Sequence, residues 1–129
     1  MAARLNHTIV WCSDKERSAR FMAEMLGLPE PEPFLHFLVV RMENGVSLDF
    51  MQKEGPVSPQ HYAFLVSDEG FDAGMARIEA RGLAYWADPA RSKAGQINRH
   101  WGGRGIYFED PDGHLLELIT KPYGPEEEL

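Results

Sequence analysis

The chain aligns with itself. His7 falls on His61, and the same offset puts Ser13-Asp14 on Ser67-Asp68; one added residue then brings Gly27-Leu28 onto Gly82-Leu83. Further along, Asn44-Gly45 matches Asp112-Gly113, and that offset carries VSLDFM onto HLLELI, so that Asp49 lands on Glu117. A repeat of this kind restricts the fold more than composition does, because each copy is one supersecondary unit with the same apolar face to bury. Each half supplies one His near the start of its first strand and one carboxylate in the middle of its last.

The elements follow from periodicity. LNHTIVWC alternates as a strand over 5–12, with His7, Ile9 and Trp11 on one face and Asn6, Thr8 and Val10 on the other. Ser13 with Glu16 three places on reads as a capping box, and Phe21, Met22, Met25 and Leu26 recur at helical spacing up to Gly27, predicting a helix over about 14–26. After a connection rich in proline (Pro29, Pro31, Pro33), FLHFLVVRM reads as a strand and Glu43-Asn44-Gly45 as a hairpin turn. VSLDFM returns, with Ser47 and Met51 on the face of Asp49. KEGPVSP, 53–59, is a linker. QHYAFLVSD then restarts the pattern as a strand, Phe71, Met75 and Ile78 mark a helical face that Gly82 ends, and LAYWA is a short strand. A loop from about 88 to 103 leads into GIYFEDPDGHLLELIT, 105–120, a hairpin turning at Asp110-Pro111-Asp112-Gly113. The expected organisation is one domain over 1–129: a module at 5–52, the linker, a second module at 60–120, and a tail at 121–129 whose Glu126, Glu127 and Glu128 are solvated.

A length of 129 residues suits one core. The net charge of -7 argues against nucleic acid, which requires a basic face to displace phosphate counterions. No apolar run approaches the roughly 20 residues of a membrane helix, so no membrane span is expected. MAARLNH lacks the features of a secretory signal and a lone Cys12 excludes an intramolecular disulfide, which points to the cytoplasm. Cys12 has no activating neighbour and reads as packing.

Apolar residues flank each chemistry-bearing side chain on its own face: Ile9 beside His7, Ala63 beside His61, Met51 beside Asp49, Leu115 and Ile119 beside Glu117. Alternation thus aims all four into an enclosed concave surface. A buried carboxylate is costly unless it is paired or bound to a cation. If the halves are related by an approximate two-fold axis, two imidazoles and two carboxylates converge and suit a divalent metal such as Ni, Co, Mn, Fe or Zn, with octahedral positions left for water or substrate. The loop ARSKAGQINRHWGGRG has two readings: a solvated surface loop, or a lid in which Arg99, His100 and Arg104 meet an anionic substrate group while Trp101 closes over it. His36 and His114 read as structural. Trp11, Trp86, Tyr62 and Tyr107 read as core aromatics, and Tyr107, beside the metal-bearing strand, is also a substrate-binding candidate.

With LNHTIV, QHYAFLV and YFEDPDGHLLELI in that order, residues 5–120 resemble the vicinal oxygen chelate superfamily. That superfamily includes glyoxalase I, bleomycin-resistance proteins, fosfomycin-resistance thiol transferases, methylmalonyl-CoA epimerase and extradiol dioxygenases. The resemblance implies an α+β fold of two βαβββ modules whose mixed, largely antiparallel sheets curl into a cleft around a metal. It implies His7, His61 and Glu117 as metal ligands, with Asp49 where glyoxalase I places a fourth ligand, normally Glu. Asp is one methylene shorter and can instead face a substrate hydroxyl or a bound water. Glu117 or Asp49 would move a proton if released from the metal. A homodimer is implied, with the site shared between chains, so that His7 reaches the metal held by the partner's His61 and Glu117. The implied function is a metal-dependent enzyme on a small oxygen-chelating substrate, and a glyoxalase-like lyase or isomerase agrees best with four ligands. The alternative is a metal-free, drug-sequestering protein of the bleomycin-resistance type, in which the ligand positions are generally replaced. Thiol transfer is weaker, because the fosfomycin-type members place a Thr two residues after the first His where this chain has Ile9, and their C-terminal Arg has no counterpart in KPYGPEEEL. Extradiol cleavage is weaker still, since those enzymes typically double this length.

Overall fold

The computed structural model describes residues 2–123, and the acidic run Glu126 to Glu128 lies outside them. The chain divides between Ser58 and Pro59 into two compact units. The first runs β1 (His7–Cys12), α1 (Lys15–Leu26), β2 (Glu32–Phe34), β3 (Phe37–Arg41) and β4 (Ser47–Gln52). The second runs β5 (His61–Leu65), α2 (Asp68–Ala80), β6 (Tyr85–Trp86), β7 (Gly105–Glu109) and β8 (Leu115–Ile119). Their four-stranded sheets are ordered β1-β4-β3-β2 and β5-β8-β7-β6. In both, the first and last strands pair in parallel and the rest are antiparallel, the α+β arrangement of two βαβββ modules. A parallel pair requires a crossover, which the helix and the intervening hairpin provide.

The repeat holds in the hydrogen-bond register. Ile9 stands opposite Asp49, which stands opposite Val39. At the corresponding places Ala63 stands opposite Glu117, which stands opposite Tyr107. Because side chains alternate, the other face of each sheet takes the core. Val10, Val40, Leu48 and Phe50 are buried with Ala19, Met22 and Met25 of α1 in the first unit, and Ile106, Phe108, Leu116 and Leu118 with Phe71, Met75 and Ile78 of α2 in the second. At Gly74 of α2 a Cβ would come within 2.8 Å of Leu118 Cδ1, so the helix lies against β8 at a residue without a side chain. Cys12 is buried and its thiol donates to the Met51 carbonyl, in keeping with packing.

Three local expectations are corrected. The N-cap of α1 is Asp14, not Ser13: the Asp14 carboxylate accepts from the Arg17 N–H at 3.1 Å, while Ser13 Oγ accepts from the Arg17 guanidinium. In α2 the serine does cap, with Ser67 Oγ accepting from the Gly70 N–H at 2.9 Å. FLHFLVVRM is a strand only from Phe37 to Arg41: the chain turns at Leu35 and His36, so that Phe34, the end of β2, faces Phe37. Leu35 takes a positive φ of 54° there, which sequence periodicity gives no sign of. Pro33, assigned to a connection, sits in β2 at the sheet edge, where its missing N–H leaves no inner ladder bond unmade. The hairpin of the second unit turns as expected, with Gly113 at φ 85°. No helix among the described residues is long and apolar enough to cross a membrane.

Candidate functional site

The second unit brings two of the expected residues together. His61 opens β5, and Glu117 is the middle residue of the parallel neighbour β8. His61 Nε2 lies 3.1 Å from Glu117 Oε1, and His61 Nδ1 lies 3.0 Å from the Leu115 carbonyl oxygen. A carbonyl can only accept, so Nδ1 carries the proton and donates to it. In the neutral ring the Nε2 lone pair therefore points at a carboxyl oxygen, an arrangement that needs a cation or a proton between the two atoms. Two donor atoms bound to one first-row cation at about 2.0–2.2 Å and roughly 90° apart stand about 3 Å from each other, so the spacing fits a shared ion. An Nδ1–H held by a backbone carbonyl is the usual outer support of a metal-binding His.

Tyr107 completes this group. Its Cα is paired with that of Glu117 across β7 and β8, its ring is stacked with His61 at a centroid distance of 6.0 Å, and it is buried. Burial first, then the Glu117 charge and its hydrogen bond to the phenol, push the Tyr107 hydroxyl up to about 12.

The first unit carries the corresponding His and carboxylate on its paired strands β1 and β4. His7 Nδ1 is 2.7 Å from Asn6 Oδ1, which again leaves Nε2 as the ring's lone-pair atom. Asp49 is buried and accepts from Ser47 Oγ at 3.0 Å. Among the described residues no three His, Cys, Asp or Glu side chains gather to hold an ion; each unit offers one His and one carboxylate.

The expectation that alternation encloses all four side chains is half corrected. Asp49 and Glu117 are 8% and 4% exposed, but His7 and His61 are open, as are their neighbours Ile9 at 38%, Trp11 at 43% and Leu65 at 62%. Parallel β1 and β5 lie at the ends of their sheets, where no further strand covers a side chain.

The loop before β7 is more ordered than either of its readings supposed. Asp88 accepts from the N–H groups of Ser92 and Lys93 and from the Ser92 hydroxyl, and that hydroxyl, with the N–H groups adding to it, holds the carboxyl below its ordinary range. Trp86 bridges to Ala94, and Asn98 exchanges backbone bonds with Gly105 while its side-chain amide donates to the Ala87 carbonyl. Arg104, expected to meet an anionic substrate, is bound elsewhere: its guanidinium donates to Asp72 at 2.8 Å and to Asp68 at 3.1 Å, and lies 4.5 Å from the Phe71 ring centroid. Arg91 is likewise paired with Glu109. The tip is open. Arg99 and His100 are exposed there, and Trp101, at φ 52°, packs its ring 4.7 Å from Tyr123 and 5.3 Å from His100.

His114, read as structural, is fully buried. Its Nδ1 accepts from the Gln60 N–H at 2.9 Å, which ties the β7–β8 turn to the start of β5. His36 is exposed in the β2–β3 turn. Sequence reasoning passed over Ser47 as a partner of Asp49; its hydroxyl two residues before the carboxylate, on the same strand face, was the available signal.

Residues 4–118 match the Glyoxalase/Bleomycin resistance protein/Dioxygenase superfamily, and the chain belongs to it. Among solved structures it is similar to Oxidase ChaP-H1, with 58% identity and a TM-score of 0.94 over 95% of this chain and 99% of that one. It is also similar to Oxidase ChaP-H2, with 53% identity and a TM-score of 0.94 over 97% and 98%. Glutathione transferase FosA of Serratia marcescens is 33% identical over 92% of this chain and 81% of its own.

Proposed function

We propose that the protein is a metal-dependent oxidase acting on a small substrate through adjacent oxygen atoms. The observation that carries the reading is the His61–Glu117 pair, in which a lone pair and a negative oxygen face each other at a spacing suited to one divalent cation. Similarity at 58% and 53% identity to two proteins named as oxidases supports the reaction class.

His61 Nε2 and Glu117 Oε1 bind the cation from the second unit. His7 and Asp49 are the counterpart pair of the first, with Asp49 facing a bound water or substrate hydroxyl where its shorter side chain does not reach the ion. A homodimer that shares the site between chains is part of the proposal, and the open apolar side chains Ile9, Trp11 and Leu65 beside the two His support a covered face. The bound cation, whether Ni, Co, Mn, Fe or Zn, supplies Lewis acidity toward substrate oxygens. The remaining tasks fall to the chain. Glu117 or Asp49 moves a substrate proton when released from the cation, Tyr107 meets the substrate beside Glu117, and Arg99, His100 and Trp101 at the loop tip meet an anionic group of the substrate. Dioxygen is the co-substrate: it takes two electrons and two protons from the substrate and leaves as hydrogen peroxide. The lone buried Cys12 suits a reducing cytoplasm.

A second reading is thiol transfer, favoured by the 33% identity to Glutathione transferase FosA and opposed by Ile9 in place of the fosfomycin-type Thr. A glyoxalase-like lyase or isomerase is the third. The three separate in one set of assays on protein loaded with Fe²⁺ or Mn²⁺. Oxygen uptake with a panel of catechols and α-hydroxy ketones, lost in Glu117→Gln, is the expected result. Turnover of the methylglyoxal–glutathione hemithioacetal without oxygen uptake moves the reading to a lyase, and glutathione consumption with fosfomycin moves it to a transferase. Tight ligand binding with no turnover and no metal requirement replaces the enzyme with a sequestering protein.

A further inference from the structure

The two units differ in how each carboxylate is held. In the first, the hydroxyl comes from the same strand: Ser47 precedes Asp49 by two residues and donates to Oδ1 at 3.0 Å. The residue at the corresponding place in the second unit is Leu115, which has no hydroxyl, since β1 pairs His7 with Ser47 and β5 pairs His61 with Leu115. There a hydroxyl-bearing residue stands instead on the neighbouring strand. Tyr107 faces Glu117 directly across the antiparallel ladder, where the first unit has Val39 facing Asp49. Residues directly opposite in such a ladder share a face. The Tyr107 ring is buried and stacked with His61, so its one polar atom lies on the carboxylate's side of the sheet.

We infer that Tyr107 is a positioning residue for Glu117: its hydroxyl occupies part of the carboxylate's acceptor capacity and holds it so that a single oxygen faces a cation shared with His61. The inference rests on the metal-binding reading above and adds the denticity of Glu117 to it. A carboxylate has two oxygens and about four lone-pair sites, and an unsupported one can rotate to bind a cation through both. Outer partners of this kind typically account for about 10- to 100-fold in metal affinity.

The test uses Tyr107→Phe, which keeps the ring and removes the hydroxyl. Full-length wild type, Tyr107→Phe and Glu117→Gln are titrated with Mn²⁺ by calorimetry and with Co²⁺ by visible absorption, and the thermal midpoint of each metal-free protein is recorded. The expected result is an Mn²⁺ affinity about 10- to 100-fold weaker in Tyr107→Phe, together with a changed Co²⁺ absorption band, at a thermal midpoint still showing cooperative unfolding. A structural role for the ring alone would leave the Co²⁺ band as in wild type. Unchanged affinity and an unchanged band in Tyr107→Phe, with tight binding in wild type and loss in Glu117→Gln, overturn the positioning role and leave the metal site standing. Absence of binding in wild type overturns both.

Discussion

His61 and Glu117 meet with one imidazole nitrogen turned away: Nδ1 donates to the Leu115 carbonyl at 3.0 Å, and Nε2, the lone-pair atom of the neutral ring, faces Glu117 Oε1 at 3.1 Å. Free imidazole is not committed to either tautomer. Nitrogen-detected NMR of the metal-free protein should therefore show the neutral ring of His61 as the Nδ1–H tautomer. The signal is assigned by its loss in His61→Asn. An Nε2–H tautomer would mean that the ring donates to Glu117, and would remove the reason for a cation between them.

Tyr107 offers a metal-independent reading of the same site. Burial, and then the Glu117 charge, push its hydroxyl from an ordinary value near 10 up to about 12. A group that is easier to keep protonated when folded contributes its stability in full below the unfolded value. That contribution is lost as pH rises through the folded one. In metal-free protein the decline of stability between about pH 10 and 12 should be shallower in Tyr107→Phe than in wild type, and the phenolate absorbance should lose its late phase. Equal pH dependence in the two proteins would contradict the placement of Tyr107 against Glu117.

Helix α2 depends on Gly74. An alanine there would ordinarily favour a helix by up to about 1 kcal/mol, but its Cβ would lie 2.8 Å from Cδ1 of the buried Leu118. Overpacking of that kind costs typically 1–3 kcal/mol, so the clash should win. Urea unfolding should show Gly74→Ala less stable than wild type by up to about 2 kcal/mol; a more stable variant would show that the helix stands off the sheet.

The turn between β7 and β8 is held by a buried acid. Asp110 Oδ1 accepts from the N–H groups of Asp112 and His114, both at 2.9 Å, and burial raises its carboxyl above the ordinary range while these bonds and His114 oppose the rise. Removing the acceptor leaves two N–H groups without it, and Asp110→Ala should cost on the order of 3 kcal/mol in chemical denaturation. A cost below about 1 kcal/mol would mean that water takes over the bonds.

Much of this was legible in the chain because the same residues mark the same places twice. The offset from His7 to His61 and from Asp49 to Glu117 is preserved in the strand register, with Ile9 opposite Asp49 and Ala63 opposite Glu117. The two helices and the Gly113 turn followed from local chemistry that tertiary structure does not override. What escaped were features set by tertiary contact. The fold-back at Leu35 puts a non-glycine residue at positive φ, which alternation cannot announce. Arg104 reads as a free cation in a polar loop until the fold places Asp68 and Asp72 beside it from thirty-odd residues away. The exposure of His7 and His61 depends on what covers the ends of the sheets, and a single chain's pattern of residues says nothing of that.

The central claim is that His61 and Glu117 share a divalent cation, and elemental analysis of untagged native protein tests it most directly, with wild type and His61→Ala purified side by side. Near-stoichiometric metal in wild type and a loss of nearly all of it in His61→Ala is the predicted result. Background metal in wild type, or full retention in His61→Ala, would contradict it.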